Sequence, residues 1–209
     1  MNIWTFASGP FATNAYLYGK SGEEAFLIDA PPESYPAVSQ CIKDNQLHLS
    51  TLLFTHSHWD HTADAAQYKR SFPLLKLGIH PLDSPNLEQP GSDKLPFWIP
   101  IEGVKADFFV HEGDKIGPFQ VIETPGHTPG GVCWYDSKEK ILFSGDTLFR
   151  GSIGNLSFPG CDPEMMWQSL HKLATLPKEV KVYPGHGEST TLGQEKWLER
   201  AEDIFGSGK

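Results

Sequence analysis

The chain has 209 residues, 39% hydrophobic and 21% charged, which suits one globular domain with a substantial core. Its formal net charge of −9 argues against a nucleic-acid partner, because binding phosphates needs a basic face. No apolar run approaches a membrane span, and Met1-Asn2-Ile3-Trp4-Thr5-Phe6 lacks the basic and apolar regions of a secretory signal, so a cytoplasmic protein is expected.

Residues 1–29 read as strands joined by tight turns. The runs Ala15–Tyr18 and Ala25–Ile28, separated by Gly19 to Gly22, form a hairpin pattern, and Pro31-Pro32 stops the second strand. Ala37, Val38, Cys41 and Ile42 fall at helical spacing within a helix from about Ser34 to Asn45. Leu49 to Phe54 reads as a buried strand leading into Thr55-His56-Ser57-His58, and Thr62 to Ser71 as a second helix. Leu74 to Ile79 is a further strand. The stretch 80–104 is rich in Pro and Gly and the least structured part of the chain; capping a pocket and forming a dimer contact are both open to it. Short strands follow at Phe108–Val110, Phe119–Glu123, Val132–Tyr135 and Ile141–Phe143. Pro163 to Leu176 is a helix, with Asp162 as cap and Pro163 at its first position. Val180 to Tyr183 is a last strand and Leu192 to Phe205 a terminal helix. Interspersed strands and helices with short connections imply a mixed α/β domain, and no linker or repeat divides the chain.

The cysteines, Cys41, Cys133 and Cys161, are odd in number and form no C-x-x-C pair, so reduced thiols are expected rather than disulfides. Asn155-Leu156-Ser157 matches a glycosylation sequon by chance, given the absence of a secretory signal.

The chemical signal is concentrated in Thr55-His56-Ser57-His58-Trp59-Asp60-His61. In extended backbone, residues two apart point to one side, so His56, His58 and Asp60 can converge; His61 needs a turn, which a strand-to-helix loop supplies. Imidazole nitrogen and carboxylate oxygen suit a divalent ion, and a shell without cysteine suits catalysis better than a closed structural zinc site. Three further ligands sit in Gly- or Pro-flanked turns, each after an expected strand: His127 in Thr124-Pro125-Gly126-His127-Thr128-Pro129-Gly130, Asp146 in Ser144-Gly145-Asp146-Thr147, and His186 in Pro184-Gly185-His186-Gly187. His48, His80, His111 and His171 lack such settings and read as ordinary exposed or hydrogen-bonding residues.

These residues resemble the metallo-β-lactamase superfamily, whose ligand order His56-x-His58-x-Asp60-His61, His127, Asp146, His186 is matched over nearly the whole chain. Within it the chain is most similar to glyoxalase II, the hydroxyacylglutathione hydrolases, and their short bacterial relatives. Trp59, the 124–130 turn, Gly145-Asp146-Thr147-Leu148-Phe149, Arg150-Gly151-Ser152-Ile153-Gly154 and Phe158-Pro159-Gly160 carry that likeness. The resemblance implies an α+β fold, a four-layer αββα sandwich with metals at one edge of its sheets. It implies one metal on His56, His58 and His127, a second on Asp60, His61 and His186, Asp146 bridging them, and Asp29 orienting a ligand. The cofactors so implied are two divalent ions, zinc first, with iron or manganese as other choices.

The expected domain is a single one, 1–209, without the C-terminal helical extension that helps full glyoxalase II hold glutathione. Asn155 stands near the place where those enzymes carry a basic substrate contact, and Arg150 is close in sequence; both are candidate substrate contacts. The expected reaction is hydrolysis of a small-molecule thioester or activated ester by a metal-bridging hydroxide that Asp60 and Asp146 orient as the catalytic carboxylates. A thiol leaves readily as thiolate, its pKa being near ~8.5, so no general acid is required. No nucleic-acid or membrane partner is expected. The alternative is a mononuclear iron persulfide dioxygenase, in which His56, His127 and Asp146 hold one iron.

Overall fold

The computed structural model describes residues 1–95 and 99–206. The chain divides into two compact units, Met1–Val110 and His111–Lys209, each built on its own six-stranded mixed sheet.

In the first unit the strands lie side by side in chain order. β1 (Asn2–Ser8), β2 (Thr13–Gly19) and β3 (Glu24–Ile28) form an antiparallel meander. From there the sheet is parallel, through β4 (His48–Leu53), β5 (Lys76–Ile79) and β6 (Phe108–Phe109). Parallel neighbours need a crossover, and α1 (Tyr35–Asp44) and α3 (Ala65–Ser71) supply the first two. Alternate residues of the strands, among them Leu17, Leu27, Leu52 and Leu77, pack with Val38 and Ile42 of α1 and Ala65 and Tyr68 of α3 into one buried cluster. Each such leucine contributes about 1.5–3 kcal/mol by leaving water.

The hairpin, α1 and β4 lie within a residue or two of where the sequence puts them. The helix expected over Thr62–Ser71 is instead two pieces, α2 (Trp59–Thr62) and α3, because the Asp64 N–H bonds to the Ala30 carbonyl 3.0 Å away rather than continuing a helical ladder. The strand expected from Leu74 starts only at Lys76, and Leu74 is 90% exposed. The stretch 80–104 contains a short helix, α4 (Ser84–Glu88), which the prolines conceal: Pro85 sits in its first turn, where no donor is lost. Residues 96–98 of that stretch lie outside the described residues.

In the second unit six strands form one mixed sheet. β7 (Lys115–Ile116), β8 (Phe119–Glu123), β9 (Val132–Asp136) and β10 (Ile141–Gly145) are antiparallel neighbours. β11 (Lys181–Pro184) pairs parallel with β10 and antiparallel with β12 (Thr190–Thr191). The crossover from β10 to β11 is α5 (Pro163–Ala174), whose Asp162 cap accepts from Met165 N–H at 3.1 Å, as expected from the sequence. Met166, Trp167, Leu170 and Leu173 form the buried stripe of α5 against Cys133, Leu142 and Val182. The terminal helix is shorter than Leu192–Phe205: a 3₁₀ turn at Leu198–Arg200 leads into α6 (Ala201–Phe205). The N–H groups of Leu192 and Gly193 bond to the Val180 and Lys178 carbonyls, which holds that end out of a helix.

Burial pushes the thiols of Cys41, Cys133 and Cys161 up, Cys133 to about 11, and all three are free.

Candidate functional site

The register of each parallel pair sets where the ligands emerge. Ile28 pairs with Leu53 and Leu53 with Gly78, so Asp29 and the Thr55–His58 segment leave the same edge of the first sheet. In the second unit Gly145 pairs with Pro184, which puts Asp146 and His186 just beyond adjacent strand ends. The carboxyl ends of parallel strands are the usual place for a functional site.

In the first unit His56, His58, Asp60 and His61 are all buried, none more than 7% exposed. The His56 ring centroid lies 4.8 Å from that of His58 and 4.1 Å from that of His61. The bend that brings His61 round is α2 itself: the His58 carbonyl accepts from the His61 N–H at 2.9 Å and from the Thr62 hydroxyl at 3.2 Å. Asp29 organises the group. Its Oδ1 accepts from the Thr55 N–H at 2.8 Å, and its Oδ2 accepts from the Thr55 hydroxyl at 2.7 Å and lies 2.8 Å from His61 Nδ1. A carboxylate only accepts, so in the neutral ring His61 Nδ1 carries the proton and Nε2 the lone pair. That Nε2 lies 3.6 Å from Asp60 Oδ2, which also accepts from the Thr13 hydroxyl at 2.8 Å.

In the second unit the same pattern recurs. His127 Nδ1 lies 2.8 Å from the Asn155 carbonyl, an acceptor, so in the neutral ring Nε2 is again the nitrogen with the lone pair; it lies 3.5 Å from Asp146 Oδ2. His186 Nε2 lies 3.4 Å from the same oxygen, and its ring stands edge-on to Phe149 at 5.8 Å. These separations exceed ordinary hydrogen bonds, and lone pairs facing one another across them are stabilised by a cation. The donor set in each unit thus fits a divalent metal.

Glycines make this geometry attainable. A Cβ on Gly154 would lie 2.1 Å from the Asp146 carbonyl and 2.9 Å from His127 Nδ1. Gly126, at φ +141°, has its Cβ position 2.6 Å from the Met166 backbone. Only the smallest residue fits at either place.

The structure thus groups His56, His58, Asp60 and His61 with Asp29 in one unit, and His127, Asp146 and His186 in the other. Arg150 is exposed and ion-paired with Glu188. Asn155 contributes its carbonyl to His127, while its side-chain oxygen accepts from the Ser157 N–H at 2.6 Å. His48 and His171 are exposed, His111 is largely so, and His80 Nδ1 accepts from the Leu82 N–H at 3.3 Å. The sequence did not single out Thr13, Asp83 or Asn86, which reach the motif from elsewhere in the chain, nor the role of Thr55 at its start; isolated polar residues carry no periodic or spacing signal.

Comparison with known proteins shows the family. The family model of the metallo-beta-lactamase superfamily matches residues 8–186. Hydroxyacylglutathione hydrolase GloC of Haemophilus influenzae is 34% identical over 203 residues, covering 94% of this chain and 95% of that protein. TTHA1623, solved in a di-iron-bound form, superposes with a TM-score of 0.82 at 38% identity, covering 92% of this chain and 96% of that one. The B3 metallo-beta-lactamase BLEG-1 superposes at 0.86 with 34% identity, covering 95% of this chain and all of that one. By motif, sheet order and likeness over most of its length, this chain belongs to the metallo-β-lactamase superfamily and has its α+β fold.

Proposed function

We propose that the protein hydrolyses a small-molecule thioester or activated ester, in the manner of a hydroxyacylglutathione hydrolase, with two divalent metals. His56, His58 and His127 would hold one, Asp60, His61 and His186 the other, with Asp146 shared. The observation that carries this reading is the arrangement repeated at His61 and His127, in which one ring nitrogen is fixed by a protein acceptor and the other faces a carboxylate oxygen at 3.5–3.6 Å. The likeness to GloC at 34% identity along nearly the whole chain supports the substrate class.

When bound, such metals lower the pKa of coordinated water towards ~7 and polarise a carbonyl oxygen. The protein's own groups supply the rest. Asp29 holds His61 in one tautomer, and the Asn155 carbonyl does the same for His127. The Thr13 hydroxyl donates to Asp60 Oδ2 and orients its carboxylate. A thiolate leaving group needs no proton from these residues, which is why the absence of a dedicated acid in the motif suits a thioester. Arg150 and Asn155 remain the proposed substrate contacts, the first with a charge shared with Glu188.

The likeness to BLEG-1 makes a β-lactam amide the second substrate class to assay. The test is a panel: S-D-lactoylglutathione, a chromogenic β-lactam, and oxygen uptake with glutathione persulfide, each on chelator-treated and zinc-, iron- or manganese-reloaded protein. Metal-restored hydrolysis of the thioester, at least ten times faster than of the β-lactam, is expected. Thioester hydrolysis that survives complete metal removal contradicts the proposal; oxygen uptake by the iron form alone points to the dioxygenase.

A further inference from the structure

The loop Thr55–His58 lies outside the sheet, so its peptide groups need partners other than a neighbouring strand. Ser57, 4% exposed, sits between the two histidines, and both of its backbone groups are held by side chains from α4 and its cap. The Ser57 N–H donates to Asp83 Oδ2 at 2.8 Å, and the Ser57 carbonyl accepts from Asn86 Nδ2 at 2.7 Å. Because a peptide group is planar, the first bond fixes the plane that includes the His56 Cα, and the second fixes the plane that includes the His58 Cα.

Two observations separate this from ordinary helix chemistry. Asp83 occupies the N-cap position of α4, where an aspartate side chain normally accepts from its own helix; here it makes no such bond and reaches Ser57 instead. Asn86 is held by a ring of contacts that fixes which way its amide points. Its oxygen accepts from the N–H groups of Gly91 and Asp93 and the Ser92 hydroxyl, and its nitrogen also donates to Asp93 Oδ2 at 2.8 Å. Asp83 and Asn86 are themselves buried.

We propose that Asp83 and Asn86 are positioning residues that clamp the Ser57 peptide planes and so fix the spacing of His56 and His58 for metal capture, assigning the first part of the 80–104 stretch that role. The inference rests on the reading that these two histidines hold a metal.

The experiment reads metal affinity rather than turnover. Wild type, Asp83→Ala, Asp83→Asn, Asn86→Ala and Asn86→Asp are stripped of metal, checked for folding by circular dichroism, and titrated with Zn(II) against a chromophoric chelator. Absorption spectra of the Co(II) forms are compared in parallel. Asp83→Ala and Asn86→Asp are expected to lose about 10–100-fold in affinity and to shift the cobalt bands. Asp83→Asn, whose side-chain oxygen can still accept from Ser57, should recover most of that loss. The near-isosteric Asp83→Asn and Asn86→Asp pair decides the matter should the alanine variants not fold. Folded variants with wild-type affinity and unchanged cobalt bands overturn the clamp and leave the metal reading intact. A wild-type protein that captures neither Zn(II) nor Co(II) overturns both.

Discussion

Asp29 adopts φ +59°, a left-handed conformation that costs an L-residue about 1–2 kcal/mol. Its three contacts, to the Thr55 N–H, the Thr55 hydroxyl and His61 Nδ1, account for why an aspartate is held there. Asp29→Ala is therefore expected to weaken metal binding about 10–100-fold, measured by chelator competition, with unchanged affinity as the contrary result. Cys133 gives a second residue-scale prediction. Fully buried and with its thiol pushed up to about 11 by that burial, it should react with a thiol reagent only on unfolding, while Cys41 and Cys161 react first. The candidates at 56–61 stand out because histidines and a carboxylate crowd together there, while His127, Asp146 and His186 stand singly in Gly- or Pro-flanked turns and gain their weight from the resemblance. Of their supports, Asp29 was reached through the resemblance and Thr13 was not: it lies 47 positions from the Asp60 it bonds to, and no local pattern marks such a pair.

At the scale of elements, the turns that carry ligands depend on glycine. Gly126→Ala would drive a Cβ into the Met166 backbone at 2.6 Å and force an unfavourable φ, so a loss of roughly 2–4 kcal/mol in unfolding free energy is expected by denaturant titration. Asp107 ties β5 to the segment before β6, accepting from Lys69 Nζ at 2.5 Å and the Leu77 N–H at 2.9 Å. Burial raises its carboxyl, but these bonds and the charges of Lys69 and Lys76 outweigh it and hold the group below its ordinary value. A depressed folded pKa stabilises above the unfolded value near ~3.9 and is lost as pH falls through the folded one. Asp107→Asn should thus lower the melting temperature at pH 6 and matter progressively less towards pH 3; an equal gap at both would refute the assignment. Element existence was readable from apolar period, as at β8 and α5. Breaks were not, because the Asp64 N–H and the N–H groups before α6 choose partners distant in sequence.

For the whole molecule, each unit buries its own apolar cluster. The first unit carries His56, His58, Asp60 and His61, and the second carries His127, Asp146 and His186. Metal bound to the folded chain alone adds about 2.7 kcal/mol at a hundredfold excess over its Kd, so a chelator should lower the melting temperature. The superfamily was legible at this scale because the ligand order is a property of the entire chain. The most direct measurement is the number of divalent ions per chain by elemental analysis, for wild type and Asp146→Ala, with S-D-lactoylglutathione hydrolysis followed on the same samples. Two ions and metal-dependent turnover in the wild type, with loss of both metal and turnover in Asp146→Ala, are predicted. A variant that keeps its full metal content and its activity would contradict the account.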